Sequence, residues 1–115
     1  MWRTEGSIDG VAIDALDPGT TVVVETRNSR YRFVILFDPR VVLVKGGVLF
    51  PDDTVVRLEG ATAGGSALKV GWILVGLGIE MRLGSLWIRS SPVRSVSVEP
   101  VPPCRCRPLR RDLMN

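Results

Sequence analysis

The chain has 115 residues, enough for one domain that buries a core without disulfide or metal staples, and its composition, 45% hydrophobic and 23% charged, is that of a globular protein. It contains no histidine, which excludes Ser-His-Asp and Cys-His nucleophile systems and every histidine-containing metal site. The net charge of +3 resides in residues 100–115, where Arg105, Arg107, Arg110 and Arg111 stand against Asp112; the remainder is neutral, too mild a balance to mark a nucleic-acid binder by charge alone.

In chain order, residues 1–15 are weakly patterned, with Ile8, Val11, Ile13 and Leu16 suited to one face of a short strand or turn and Trp2 suited to plugging a barrel end. No apolar stretch follows Met1-Trp2-Arg3-Thr4-Glu5, so no secretory signal is read and a cytoplasmic location is expected. Asp17-Pro18-Gly19-Thr20 has Pro and Gly at the two central positions of a type II turn.

Thr20 to Phe37 reads as a β-hairpin. Val22-Val23-Val24 and Phe33-Val34-Ile35-Leu36-Phe37 are rich in β-branched and aromatic residues, and Asn28-Ser29 separates them at the spacing of a two-residue turn. That register sets Arg27 opposite Arg30, Glu25 opposite Arg32, Val24 opposite Phe33 and Val22 opposite Ile35. Alternation then gives a core face of Val22, Val24, Tyr31, Phe33, Ile35 and Phe37. The outer face carries a Glu25–Arg32 pair and two arginines side by side at the tip. A like-charge pair costs stability: either the two exposed arginines repel only weakly in water and keep an edge soluble, which is the main reading, or the cost is there for a ligand. On the latter reading Arg27, Arg30 and Arg32 are the candidate anion site.

Asp38-Pro39-Arg40 is a tight turn. Val41 to Lys45 is a strand apolar on nearly every residue, expected to be buried on both faces or to meet a partner chain. Val48-Leu49-Phe50-Pro51 is an apolar connector, Thr54 to Glu59 a strand, and Gly60 to Gly65 a flexible loop with a helical turn capped by Ser66 after it. Gly71 to Leu83 returns to strand, and Gly84-Ser85 is a second two-residue turn. It pairs Leu83 with Leu86, Arg82 with Trp87, Met81 with Ile88 and Glu80 with Arg89. Trp87 then lies on the outer face near arginines, able to stack a base, to form a cross-strand cation–π pair or to be covered by the N-terminal segment. Pro92 belongs at a bulge or sheet edge, and Arg94, Val96 and Val98 alternate with Ser95 and Ser97 in a last strand.

The fold expected is all-β: a small, partly closed antiparallel barrel or roll of about seven short strands with little helix, over residues 1–99. The Pro- and Arg-rich residues 100–115 read as a disordered basic tail. Short strands joined by tight turns are similar to SH3-like and Sm-like small barrels, a resemblance that implies binding of RNA or peptides, although no motif of either family is present in letters.

No catalytic constellation emerges. Cys104-Arg105-Cys106 has no second cysteine pair for a zinc site and reads as free thiols. Asp52-Asp53 are neighbours that point apart on a strand. The glycine-rich Gly60–Ser66 lacks the Gly-Lys-Ser/Thr ending of a phosphate loop. The longest apolar run, Val70 to Ile79, is interrupted by three glycines and falls short of the roughly 20 residues a membrane helix needs. The expectation is a non-enzymatic domain with no cofactor, no metal and no membrane partner, a homo-oligomer in its main reading. The alternative is a module for single-stranded nucleic acid or another polyanion, using Arg27, Arg30, Arg32 and Trp87.

Overall fold

The alternation of β-branched and polar residues is realised as strands throughout. The computed structural model describes residues 7–63 and 68–99. Among them it has eleven strands: β1 (Ser7–Ile8), β2 (Gly10–Ala12), β3 (Thr21–Thr26), β4 (Arg30–Ile35), β5 (Val41–Gly46), β6 (Phe50–Thr62), β7 (Leu68–Val70), β8 (Trp72–Leu74), β9 (Gly78–Leu83), β10 (Leu86–Arg89) and β11 (Val93–Glu99). Among the described residues the helical content is one 3-10 turn, Ile13–Ala15. Trp2, Ser66 and the tail with Cys104 and Cys106 lie outside the described residues.

The principal sheet is antiparallel in the order β1-β11-β3-β4-β5-β6-β9-β10, with β7 added beside β6; β2 and β8 form a separate two-stranded ribbon. The all-β, antiparallel architecture is as expected, but the principal sheet is not closed into a barrel, since β1 and β10 are its two ends. The ribbon supplies what closure would have supplied. Ile73 of β8 and Ile13 of the 3-10 turn are fully buried in the one core cluster, against the inner faces of β3, β4, β5, β6, β9 and β11. A parallel bridge between Val75 and Val93, and the bond from Val93 N–H to the Leu77 carbonyl (2.9 Å), tie the end of the ribbon to β11.

Local turn chemistry explains most connections. Thr20 N–H bonds the Asp17 carbonyl at 3.1 Å and Gly19 has φ +92°, the type II turn read from the letters. The turn at Asp38 is closed by Val41 N–H onto the Asp38 carbonyl (3.2 Å), with Arg40 left-handed at φ +59°. The Gly84-Ser85 hairpin has the expected register, Leu83–Leu86, Arg82–Trp87, Met81–Ile88 and Glu80–Arg89.

The first hairpin departs from expectation. Its register is Val22–Phe33, Val24–Tyr31 and Glu25–Arg30, so the turn is centred on Arg27-Asn28 rather than Asn28-Ser29. Thr26 decides this: its N–H donates to the Ser29 carbonyl (2.8 Å), its hydroxyl donates to the same carbonyl (3.1 Å), and Ser29 N–H donates back to that hydroxyl. Asn28 Nδ2 anchors the tip to Ser91 Oγ at 3.0 Å. The pairing moves by two residues, so every side chain keeps its face while each acquires a new partner. Arg27 therefore does not face Arg30, and Glu25 does not face Arg32. Phe37 also leaves the core face: β4 ends at Ile35, and Phe37 is 91% exposed.

Two further corrections concern β6 and its surroundings. Phe50 and Pro51 of the expected connector and the expected strand are one long β6, with register shifts opposite Val44–Gly46 and between Leu58 and Gly60, while Val48 and Leu49 stay in the turn before it. Pro51 is tolerated because its part of β6 lacks a second neighbour. Leu68–Lys69, expected in a helical turn, belongs to β7.

Candidate anion-binding face

Side chains on the outer face of the principal sheet form rows across the strands. One row runs Ser97, Val23, Arg32, Lys45; the next runs Glu99, Thr21, Val34, Leu43, Val55; a third runs Val41, Arg57, Arg82, Trp87. The strand Val41–Lys45 is thus fully buried on the inner face at Val42 and Val44 and half-buried at Val41 and Leu43 on the outer. The connector does not cover that outer face: Phe50 turns into the core, while Val48 sits 94% exposed at the β5–β6 tip.

Arg30, Arg32 and Lys45 border a shallow depression of about 410 Å³ that Val23, Tyr31 and Glu99 also line. Two of these cations have carboxylates at long range, Arg30 with Glu25 at 3.9 Å and Arg32 with Glu99 at 3.5 Å. Both pairs are exposed, where such contacts contribute little. Lys45 has no carboxylate within ion-pair distance among the described residues.

The expected site residues are only partly brought together. Arg30 and Arg32 share the depression. Arg27 lies in the turn instead, beside Pro92, Val93 and Arg94. Trp87 is four strands away from β4, roughly 20 Å at ordinary strand spacing. It makes the cross-strand cation–π contact, with Arg82 Cζ 5.3 Å from its ring centre. Sequence reasoning missed Lys45. The signal was there, because folding the chain at the Pro39 turn sets Lys45 opposite Arg32.

A second like-charge cross-strand pair, besides Arg32 opposite Lys45, is Arg57 opposite Arg82, and Glu59 offsets it by ion-pairing with Arg57 Nε at 3.3 Å and Arg82 Nε at 3.5 Å. Its side chain is only 15% exposed, so these contacts are stronger than those around Arg30. Glu80 likewise accepts from Arg89 Nε at 3.0 Å. Among the described residues no group of three or more metal-binding side chains is placed to hold an ion, and no helix is long and apolar enough to cross a membrane. Comparison of the chain with family models, curated proteins and solved structures finds no match.

Proposed function

We propose that this chain is a non-enzymatic interaction module that self-associates. The observation that supports this reading is the apolar surface gathered at the β9–β10 end of the sheet. Trp87 and Leu86 are more than half exposed there, and Val55 and Leu83 are exposed near them, Trp87 and Val55 on the outer face and Leu83 and Leu86 on the other. Exposed apolar side chains at a sheet end are surface that a second copy covers on pairing, although Phe37, Val48, Leu49 and Val70 are exposed elsewhere on the molecule. A cytoplasmic setting, where thiols stay reduced, belongs to the same proposal and rests on the sequence alone. Light scattering is expected to return at least twice the monomer mass at about 100 μM, a concentration that populates any dimer with micromolar dissociation constant. A monomer at that concentration would sink the reading.

The convergence of Arg30, Arg32 and Lys45 favours a second reading, a docking groove for single-stranded nucleic acid. Lys45→Glu is the clean variant, since it breaks no ion pair. It is expected to weaken binding of a single-stranded oligonucleotide about tenfold, in a chain whose four tail arginines are replaced by serine. The parent's affinity should fall with salt at a slope of about −0.7 per phosphate neutralised. If that parent retains no oligonucleotide at low salt, the groove binds no polyanion.

A further inference from the structure

We infer that β10 pairs with β10 of a second copy across a two-fold axis, with Trp87 opposite the partner's Arg89; this rests on the self-association reading and states where and how it occurs. Strand β10 is the end of the principal sheet and pairs with β9 alone among the described residues. Which of its backbone groups are free follows from the ladder. Residues opposite each other in an antiparallel pair alternate between exchanging both N–H···O bonds and exchanging none. Ser90 N–H donates to the Ile79 carbonyl at 2.9 Å, so the bonded pairs are Ser90–Ile79, Ile88–Met81 and Leu86–Leu83. The backbone groups of Trp87 and Arg89 therefore point away from β9, toward the open edge.

Three of the usual protections of an edge are missing here, although the strand is short, four residues, and carries Arg89. Natural edges are blunted by proline, lysine or a bulge. Leu86–Arg89 contains neither proline nor lysine, its pairing with β9 is regular, and its one charge is held by Glu80.

A two-fold axis perpendicular to the sheet extends it antiparallel and keeps outer faces on the same side. Three registers then satisfy the outward-pointing groups. Trp87 opposite the partner's Trp87 forms one bonded pair within the strands. Arg89 opposite the partner's Arg89 also forms one and sets like charges together. Trp87 opposite the partner's Arg89 forms two bonded pairs, with Ile88 opposite the partner's Ile88 on the core side. It also satisfies charge: the Trp87 ring, already approached by Arg82 at 5.3 Å, gains the partner's Arg89 as its second cross-strand neighbour, while Arg89 keeps Glu80. This self-complementarity is what selects a second copy as the occupant over an unrelated extended peptide.

The test is site-directed crosslinking in the full chain with Cys104 and Cys106 replaced by serine. A bonded antiparallel pair places its Cα atoms about 5.5 Å apart, within disulfide range. A mixture of Trp87→Cys and Arg89→Cys chains, treated with an added oxidant, is expected to give about ten times more disulfide-linked dimer than either variant alone. A second variant, Arg89→Pro, removes an N–H that no contact among the described residues uses, together with the ion pair to Glu80. It is expected to raise the dimer dissociation constant about tenfold while the monomer still melts cooperatively, and Arg89→Ala, which loses the ion pair but keeps the N–H, is the control. A dimer by light scattering that shows no preference for the mixed crosslink and is unaffected by Arg89→Pro overturns the β10 pairing and leaves self-association standing. Self-crosslinking of Trp87→Cys alone overturns the register. A monomer overturns both, and leaves the edge to an extended segment of another protein.

Discussion

Gly46→Ala is expected to destabilise the fold by more than about 3 kcal/mol, measured as a shift in the urea midpoint at unchanged slope. Gly46 closes β5 at φ +138°, beside a register shift between Val44 and Gly46 in the β5–β6 ladder. That backbone region is essentially restricted to glycine. The space is closed as well: a Cβ on Gly46 meets the Arg30 carbonyl oxygen far inside contact distance and the Tyr31 Cα at 2.9 Å. Both obstacles are backbone atoms of β4, which the ladder holds in place, so neither yields as a flexible side chain would. Gly84 is the internal control. It too has positive φ, +63°, but a Cβ there meets nothing within 4 Å. Gly84→Ala is expected to cost only the left-handed penalty of about 1–2 kcal/mol. Equal losses at the two positions would show that close strand approach at Gly46 contributes nothing.

Phe33→Ala is expected to cost about 3–5 kcal/mol, a large share of the 5–15 kcal/mol by which domains of this kind are stable. Phe33 is completely buried, lies between Val22 and Val44 on the flanking strands, and has Tyr31 at 6.2 Å between ring centres. Truncation removes apolar area and leaves a cavity that a regular β-ladder cannot close by shifting. Phe37→Ala is the comparison. The two residues are close in sequence and of one type, yet Phe37 is almost wholly exposed and is expected to change stability by less than about 0.5 kcal/mol. A Phe33→Ala chain that loses less than about 1 kcal/mol would show that the core is not centred on this strand.

These contrasts separate what local chemistry decides from what the assembled fold decides. The Pro18-Gly19 and Gly84-Ser85 turns were legible because a turn depends on a few consecutive residues and on where glycine or proline sits. The inner faces of β3, β4 and β9 were legible because alternation has period two. It survived the displaced register of the first hairpin for the same reason: a shift by two residues moves no side chain to the other face.

Only the tertiary structure decided which residues meet. The first turn moved because Thr26 closes it with its own hydroxyl and Asn28 reaches Ser91, a residue that chain order places far away. That shift dissolved the expected Arg27–Arg30 pair and gave Arg32 the carboxylate of Glu99, from a strand the hairpin meets only in the folded sheet. The placement of β11 against β3, and the use of Ile13 and Ile73 in place of barrel closure, likewise depend on long-range packing. Period and turn chemistry are properties of neighbouring residues, so the sequence alone determined that this is an antiparallel β protein and most of its faces. The first hairpin's register, the strand order and the charges that meet across distant strands are settled by contacts between remote segments, so only the folded chain decides them.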